Sequence, residues 1–190
     1  MTTYLVDDVI ALFDGLFADR FNTRLVLGGD EPLYLPASEA CPFHRIIFAR
    51  GYFASALHEV SHWCIAGARR RGLEDYGYWY LPDGRNAEQQ VAFEAAEIAP
   101  QALEMLFSQA CGRVFHVSVD NLGDVEIDRM AFQHRVEAQA QCYESEGLPR
   151  RAAAFRAALA AYYRKGGGLS EAIDIGRAAL IERKTCRLCD

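Results

Sequence analysis

Gly51-Tyr-Phe-Ala-Ser-Ala-Leu-His-Glu-Val-Ser-His-Trp-Cys-Ile-Ala66 is the run from which the rest of the chain can be read. His58 and His62 stand four apart, so on a helix they lie one above the other on the same face. Two imidazoles placed in this way can reach one ion, which is why H-E-x-x-H on a helix reads as a metal-binding pair. The alternative is a helix with two exposed histidines and a solvated glutamate. Phe53, Ala54, Leu57, Trp63 and Ile65 make the segment largely apolar and count against that alternative. Buried polar groups need partners, and a metal is one that both rings can share.

Upstream, Leu25-Val-Leu27, Leu33-Tyr-Leu35 and Arg45-Ile-Ile-Phe-Ala49 are short apolar runs between Gly28-Gly-Asp30, Pro32, Pro36 and Cys41-Pro42. Such runs read as strands and turns. The last feeds through Gly51 into the motif helix, so strand, tight turn and helix follow one another. Residues 4–17 place Leu5, Val9, Phe13 and Leu16 at helical spacing, with Thr2 or Thr3 as cap and Asp7-Asp8 in the first turn.

Downstream, the motif helix is expected to end near Gly67 or Gly72. Tyr76-Gly-Tyr-Trp-Tyr80 has strand composition ahead of a turn at Pro82-Asp-Gly-Arg85. Asn86, with Gln89 three residues on, opens a second helix in capping-box register, and Pro100 kinks or restarts it before Ala110. Val114-Phe-His-Val-Ser-Val119 alternates as a strand does. Asp120-Asn-Leu-Gly-Asp124 reads as a loop without calcium-loop spacing. From Asp128 the chain reads as helical, with Phe132, Val136, Ala140 and Tyr143 on one stripe and Phe155, Leu159 and Tyr162 on another. The expected fold class is α+β: a single metal-binding catalytic domain over residues 1–165, its small β-sheet packed on several helices. Gly166-Gly-Gly168 is expected to end the packed part, leaving 166–190 as a weak helix and a flexible tail.

A catalytic metal needs a third protein ligand and an open position. Glu94 and Glu97 on the second helix are the candidates. Val91, Ala95 and Ile98 form a stripe with Glu94 at its edge; Phe93, Ala96 and Pro100 form another that includes Glu97. The helical wheel leaves both open, and either could be an ordinary solvated glutamate. His116 and His134 are rival ligands, but each stands alone. Two histidines and a carboxylate serve two chemistries. In zinc hydrolases the metal activates water and the motif glutamate, here Glu59, is the general base. In non-haem iron(II) oxygenases the same donors leave adjacent positions for dioxygen and substrate. Spacing does not separate the two, and a metal-stabilised adaptor without chemistry is a third reading.

With 190 residues, 51% of them apolar, the chain suits one domain with a real core. A net charge of −6 and a pI near 5.4 argue against nucleic acid as the main partner. No secretory signal is expected at the start, and no apolar run reaches membrane-spanning length. Six cysteines, at 41, 64, 111, 142, 186 and 189, are scattered as in a reducing cytosol; the lone Cys186-x-x-Cys189 reads as tail. Arg69-Arg-Arg71 and Arg150-Arg151 are either solvated helix ends or a dock for an acidic protein.

Longer strings add a resemblance. Phe17-Ala-Asp-Arg-Phe-Asn-Thr-Arg-Leu25, Asp30-Glu-Pro-Leu-Tyr-Leu-Pro36 and Ala54 through Gly67 resemble the elongation factor P hydroxylase family. So do Gly77-Tyr-Trp-Tyr-Leu-Pro-Asp-Gly-Arg85, Phe93-Glu-Ala-Ala-Glu-Ile-Ala-Pro-Gln-Ala-Leu103 and Asp120-Asn-Leu. The resemblance covers roughly residues 8–163 and excludes the tail cysteines. It implies hydroxylation of the β-lysylated lysine of bacterial elongation factor P, in the cytoplasm, with neither nucleic acid nor membrane as partner. It implies a fold like that of a bacterial metal-dependent endoribonuclease. It also implies an Fe(II) site that uses dioxygen, with zinc as the alternative metal. His58 and His62 would be ligands, with Glu97 as the carboxylate and Glu94 as its alternative. Glu59 would then steady the site or handle protons. Ammonium groups on such a substrate make Asp75, Asp83, Asp120 and Asp124 reasonable anchors.

Overall fold

The computed structural model describes residues 3–77, 86–119 and 128–181. Helix α1 (Val6–Phe21) precedes three strands, β1 (Thr23–Leu27), β2 (Leu33–Leu35) and β3 (His44–Phe48). They form one sheet in the order β1-β3-β2. Central β3 runs parallel to β1, with Leu25 opposite Ile46, and antiparallel to β2, with Tyr34 opposite Ile46. Leu25, Tyr34, Ile46 and Phe48 are buried, so the period-two alternation turns one face of the sheet to the helices. The three expected strands are therefore present.

After β3 the chain reverses through Arg50 and Gly51, both with positive φ (52° and 68°). Glycine adopts this conformation without strain; Arg50 is held in it by its N–H bond to the Gly29 carbonyl and an ion pair with Asp30. The turn delivers the chain into α2 (Phe53–Ile65), as the sequence suggested. The opposite end of α2 comes sooner than Gly67, because Ala66 turns extended and the last carbonyls find cationic partners. Arg151 donates to the carbonyls of Trp63, Cys64 and Ala66, and Arg71 also donates to Ala66. Arg151 also lies 4.6 Å over the Trp63 ring. Arg70 donates to the Tyr76 carbonyl. Two of the five arginines in the basic clusters, Arg71 and Arg151, thus satisfy carbonyls where α2 ends.

The main core joins α1, α2 and α5 (Arg150–Leu159) through Phe13, Phe17, Trp63 and Phe155, whose rings meet at 4.8–6.5 Å. Each such side chain contributes about 1.5–3 kcal/mol by leaving water.

Helix α3 (Ala87–Cys111) begins with the expected capping box, in which Asn86 and Gln89 bond each other's backbone N–H. It continues through Pro100 without restarting. Burial of Glu97, Gln101, Ala102 and Leu103 on either side holds the register across the missing N–H. Helix α4 (Arg129–Glu146) packs on α3 around Leu106, Phe132 and Val136.

Residues 114–119 do not form the expected strand. Their alternation is real, with Val117 buried and Val114 exposed, but the backbone of Ser118 pairs with the Gln101 side chain at both N–H and carbonyl. A side-chain amide on α3 takes the place of a neighbouring strand. Tyr76 also departs from expectation: it lies in the short turn Glu74–Gly77 with a left-handed φ of 58°, its ring stacked 4.3 Å from that of Tyr34. Residues 78–80, 82–85 and the 120–124 loop lie outside the described residues.

Helix α5 (Arg150–Leu159) runs into a π-turn, Ala160–Arg164, and α6 (Leu169–Ile181) follows. Packing does not end at Gly166-Gly-Gly168. Ala172, Gly176 and Leu180 of α6 are buried, and the small Ala172 and Gly176 let this helix lie close on α5 and α1. Cys41, Cys64, Cys111 and Cys142 are free thiols, and Cys186 and Cys189 lie outside the described residues. Among the described residues, no helix is long and apolar enough to cross a membrane.

Candidate metal centre

Helices α2 and α3 pack against each other, and their facing side chains meet at the floor of a cavity of about 850 Å3. From α2, His58 and His62 turn their Nε2 atoms to within 3.1 Å of each other. From α3, Glu97 places Oε2 3.5 Å from His58 Nε2 and Oε1 3.2 Å from His62 Nε2. Glu97 is only 4% exposed and His62 9%. The three side chains form a group whose ligand atoms lie close enough to share one ion.

The spacing suits a small divalent cation. Donors about 2.1 Å from an ion lie about 3.0 Å apart at right angles and about 3.4 Å apart at the tetrahedral angle. The observed 3.1, 3.2 and 3.5 Å each lie within about 0.1 Å of that interval. Two nitrogens and one carboxylate oxygen suit zinc or ferrous iron better than calcium or magnesium, which favour oxygen.

Charge at the site is organised for a cation. Burial alone would push the Glu97 carboxyl up, but the charges and hydrogen bonds of His62 and His58, with help from Gln101, hold it down at about 2. Burial alone would lower the His58 pKa; the Glu104 hydrogen bond and the Glu97, Glu104 and Glu59 charges outweigh it and raise it. Burial also raises the Glu59 carboxyl, the two histidines oppose that rise, and Glu97 and Glu104 add to it. Excess negative charge is thus buried where the donors converge.

The other sequence candidates fall in different places. Glu94 lies outside the ligand group: its carboxylate is paired with Arg135 of α4 and accepts a bond from Gln90. Glu59 lines the cavity but supplies no atom to the ligand group. Asp75 lines the cavity too, with Oδ1 accepting the Tyr34 N–H at 2.8 Å. Asp83, Asp120 and Asp124 lie outside the described residues. His116 reaches the cavity wall and His134 sits exposed on α4; neither joins the ligand group.

Two residues at the centre were not anticipated. Glu104 lies 2.9 Å from His58 Nδ1, and Gln101 donates to Glu97 Oε2 at 3.4 Å. Glu97, Gln101 and Glu104 follow one another at spacings of four and three, the period of a single helix face, and that was the available signal.

Comparison with known proteins bears on this geometry. The family described as "Elongation factor P hydroxylase" matches residues 12–172. A curated relative from Haemophilus influenzae, "Elongation factor P lysine hydroxylase", is 49% identical over 158 residues, covering 83% of this chain and 89% of the relative.

Proposed function

The chain belongs to the elongation factor P hydroxylase family, and on that premise we propose that it hydroxylates the β-lysylated lysine of elongation factor P at a centre held by His58, His62 and Glu97. The observation that carries this reading is the convergence of two imidazoles and one buried carboxylate at a cavity floor. That donor set is the one used by ferrous oxygenases, and Fe(II) is the metal proposed here, with zinc as the alternative occupant. Held by His58, His62 and Glu97, ferrous iron would supply the activation of dioxygen by which one oxygen atom enters a lysyl C–H bond and the other leaves as water, with two electrons from an external reductant and two protons from solvent.

The chain's own residues prepare the cavity for such a substrate. Among its described lining residues are five carboxylates (Glu31, Glu59, Asp75, Glu97, Glu104) and no lysine or arginine. A lysyl side chain extended by β-lysine is long and ends in ammonium groups, which a negative, partly enclosed channel attracts. Asp75, whose Oδ1 accepts the Tyr34 N–H, lines the cavity and is one anchor for such a group in this proposal. Asp83 and Asp120 are further anchors in this proposal. Glu59 takes the part of proton handling beside the ligands rather than that of peptidase base. A translation factor as substrate places the reaction in the cytoplasm.

Kinship with bacterial metal-dependent endoribonucleases is part of the proposal; the helices that bear the ligands set the fold apart from the double-stranded β-helix of most iron oxygenases. The catalytic unit is proposed to be a single domain.

Mass spectrometry tests the reading directly. β-Lysylated elongation factor P incubated with the protein, Fe(II), dioxygen and a reductant should gain one oxygen, about 16 Da, on the modified lysine. No gain with the metal site verifiably full overturns it.

A further inference from the structure

The His58 ring is engaged at both nitrogens. Nε2 faces His62 and Glu97, while Nδ1 lies 2.9 Å from Glu104 Oε2. An ionised carboxylate only accepts hydrogen bonds, so this contact requires the proton of a neutral His58 to sit on Nδ1. Nε2 is then left with its lone pair directed at the point where the other two donors converge. The carboxylate is well placed to enforce this arrangement: Glu104 is 9% exposed, and a charged hydrogen bond is strong in such surroundings.

Glu104 stands seven residues after Glu97 on α3, two turns along the same face. One helix therefore sends a carboxylate to each side of one imidazole. Gln101, between them, fixes that face of α3 by its paired bonds to Ser118.

We infer that Glu104 is a positioning residue for the metal centre: it locks the tautomer and orientation of His58 and strengthens Nε2 as a donor. This rests on the reading of His58, His62 and Glu97 as metal ligands. Carboxylates hydrogen-bonded to the far nitrogen of a ligating histidine raise metal affinity about 10- to 100-fold. Glu104 touches neither substrate nor reacting atoms in this role.

Zn(II), being diamagnetic, is the probe for the test. Its affinity is measured by competition with a chromophoric chelator for the wild type, Glu104→Gln, Glu104→Ala and His58→Ala. The Nδ1–H of His58 is followed in parallel by NMR of the zinc-loaded protein. Glu104→Ala should bind Zn(II) about 10- to 100-fold more weakly and lose the slowly exchanging Nδ1–H resonance. Glu104→Gln, which keeps an acceptor oxygen without the charge, should fall between Ala and wild type and retain that resonance. If the alanine variant does not fold, the near-isosteric glutamine variant decides by its affinity. Wild-type affinity in both Glu104 variants, with binding lost in His58→Ala, overturns the inference and leaves the metal centre standing. Wild-type affinity in His58→Ala overturns the metal centre itself and the inference with it.

Discussion

Arg135 of α4 holds the carboxylate of Glu94 on the outer flank of α3, away from the convergence of His58, His62 and Glu97. The pairing separates two glutamates that lie less than one helical turn apart. Glu97→Ala should therefore lose metal, with affinity falling more than about 100-fold, beyond the range typical of residues that only support a ligand. Glu94→Ala should keep full metal occupancy and lose only about 0–1 kcal/mol of stability, as for other partly exposed ion pairs. Metal analysis after gel filtration reads the difference, and a Glu94 variant that elutes empty would reverse the assignment.

Glu59 lies next to His58 in sequence and lines the cavity, yet gives no atom to the ligand group. Glu59→Gln keeps the shape of the side chain and removes its capacity as a base. A zinc hydrolase that uses this carboxylate to activate water should lose about 10²–10⁴-fold in rate. A hydroxylase should retain metal binding and measurable oxygen transfer, with a loss smaller than that range. Single-turnover hydroxylation of the lysylated factor by Glu59→Gln makes the comparison.

The features legible in the sequence were those written in local periodicity. His58 and His62 are four apart, the three strands are bracketed by glycine and proline, and Asn86 with Gln89 announces its own cap. What stayed hidden depended on distant partners. That Glu97 faces the two histidines while Glu94 meets Arg135, 41 residues after it, follows from the packing of α3 between α2 and α4, and nothing within α3 expresses it. Glu104 finds His58 across 46 residues. Alternation in 114–119 matches the burial of Val117 and the exposure of Val114, but is silent on whether a strand or the Gln101 side chain meets the backbone there. Gly166-Gly-Gly168 breaks the helix as expected. Whether the next helix packs was decided by Ala172 and Gly176, whose small size reads as weakness until α1 and α5 are set against it.

The metal-free protein should show a pH dependence rooted in His58 and Glu97. With its partners overcoming the effect of burial, His58 is raised from 6.5 to about 10. A group raised on folding stabilises fully below its unfolded value and loses that contribution as pH climbs through the folded one. Glu97, lowered from 4.5 to about 2, contributes above 4.5 and is lost as pH falls toward 2. Chelator-treated protein should therefore melt at lower temperature as pH rises from about 7 to about 9.5. Metal-loaded protein, in which the ion replaces the proton between the ligands, should hold its Tm over the same interval. Melts at matched ionic strength check this, and a metal-free Tm that climbs with pH would contradict it.

Gly176 offers a test of α6 as part of the core, separate from the metal. A Cβ at this position would lie 2.6 Å from Leu16 Cδ2, 2.8 Å from the Ala154 carbonyl oxygen and 3.1 Å from Ala158 Cβ. Leucine can rotate away, but the carbonyl belongs to helical backbone and moves only with α5. Overpacking of this kind costs about 1–3 kcal/mol. The better helix propensity of alanine returns up to about 1 kcal/mol. Gly176→Ala should thus lose about 1–2 kcal/mol net, a fall in Tm of roughly 2–6 °C for a chain of this size. Gly67→Ala, where an added Cβ would meet nothing within 4 Å, should stay within about 0.5 kcal/mol of wild type. Because α6 supplies no described lining to the cavity, Zn(II) affinity should be unchanged in Gly176→Ala. A Tm equal to wild type would mean that α6 lies looser on Leu16 and Ala154 than these distances describe.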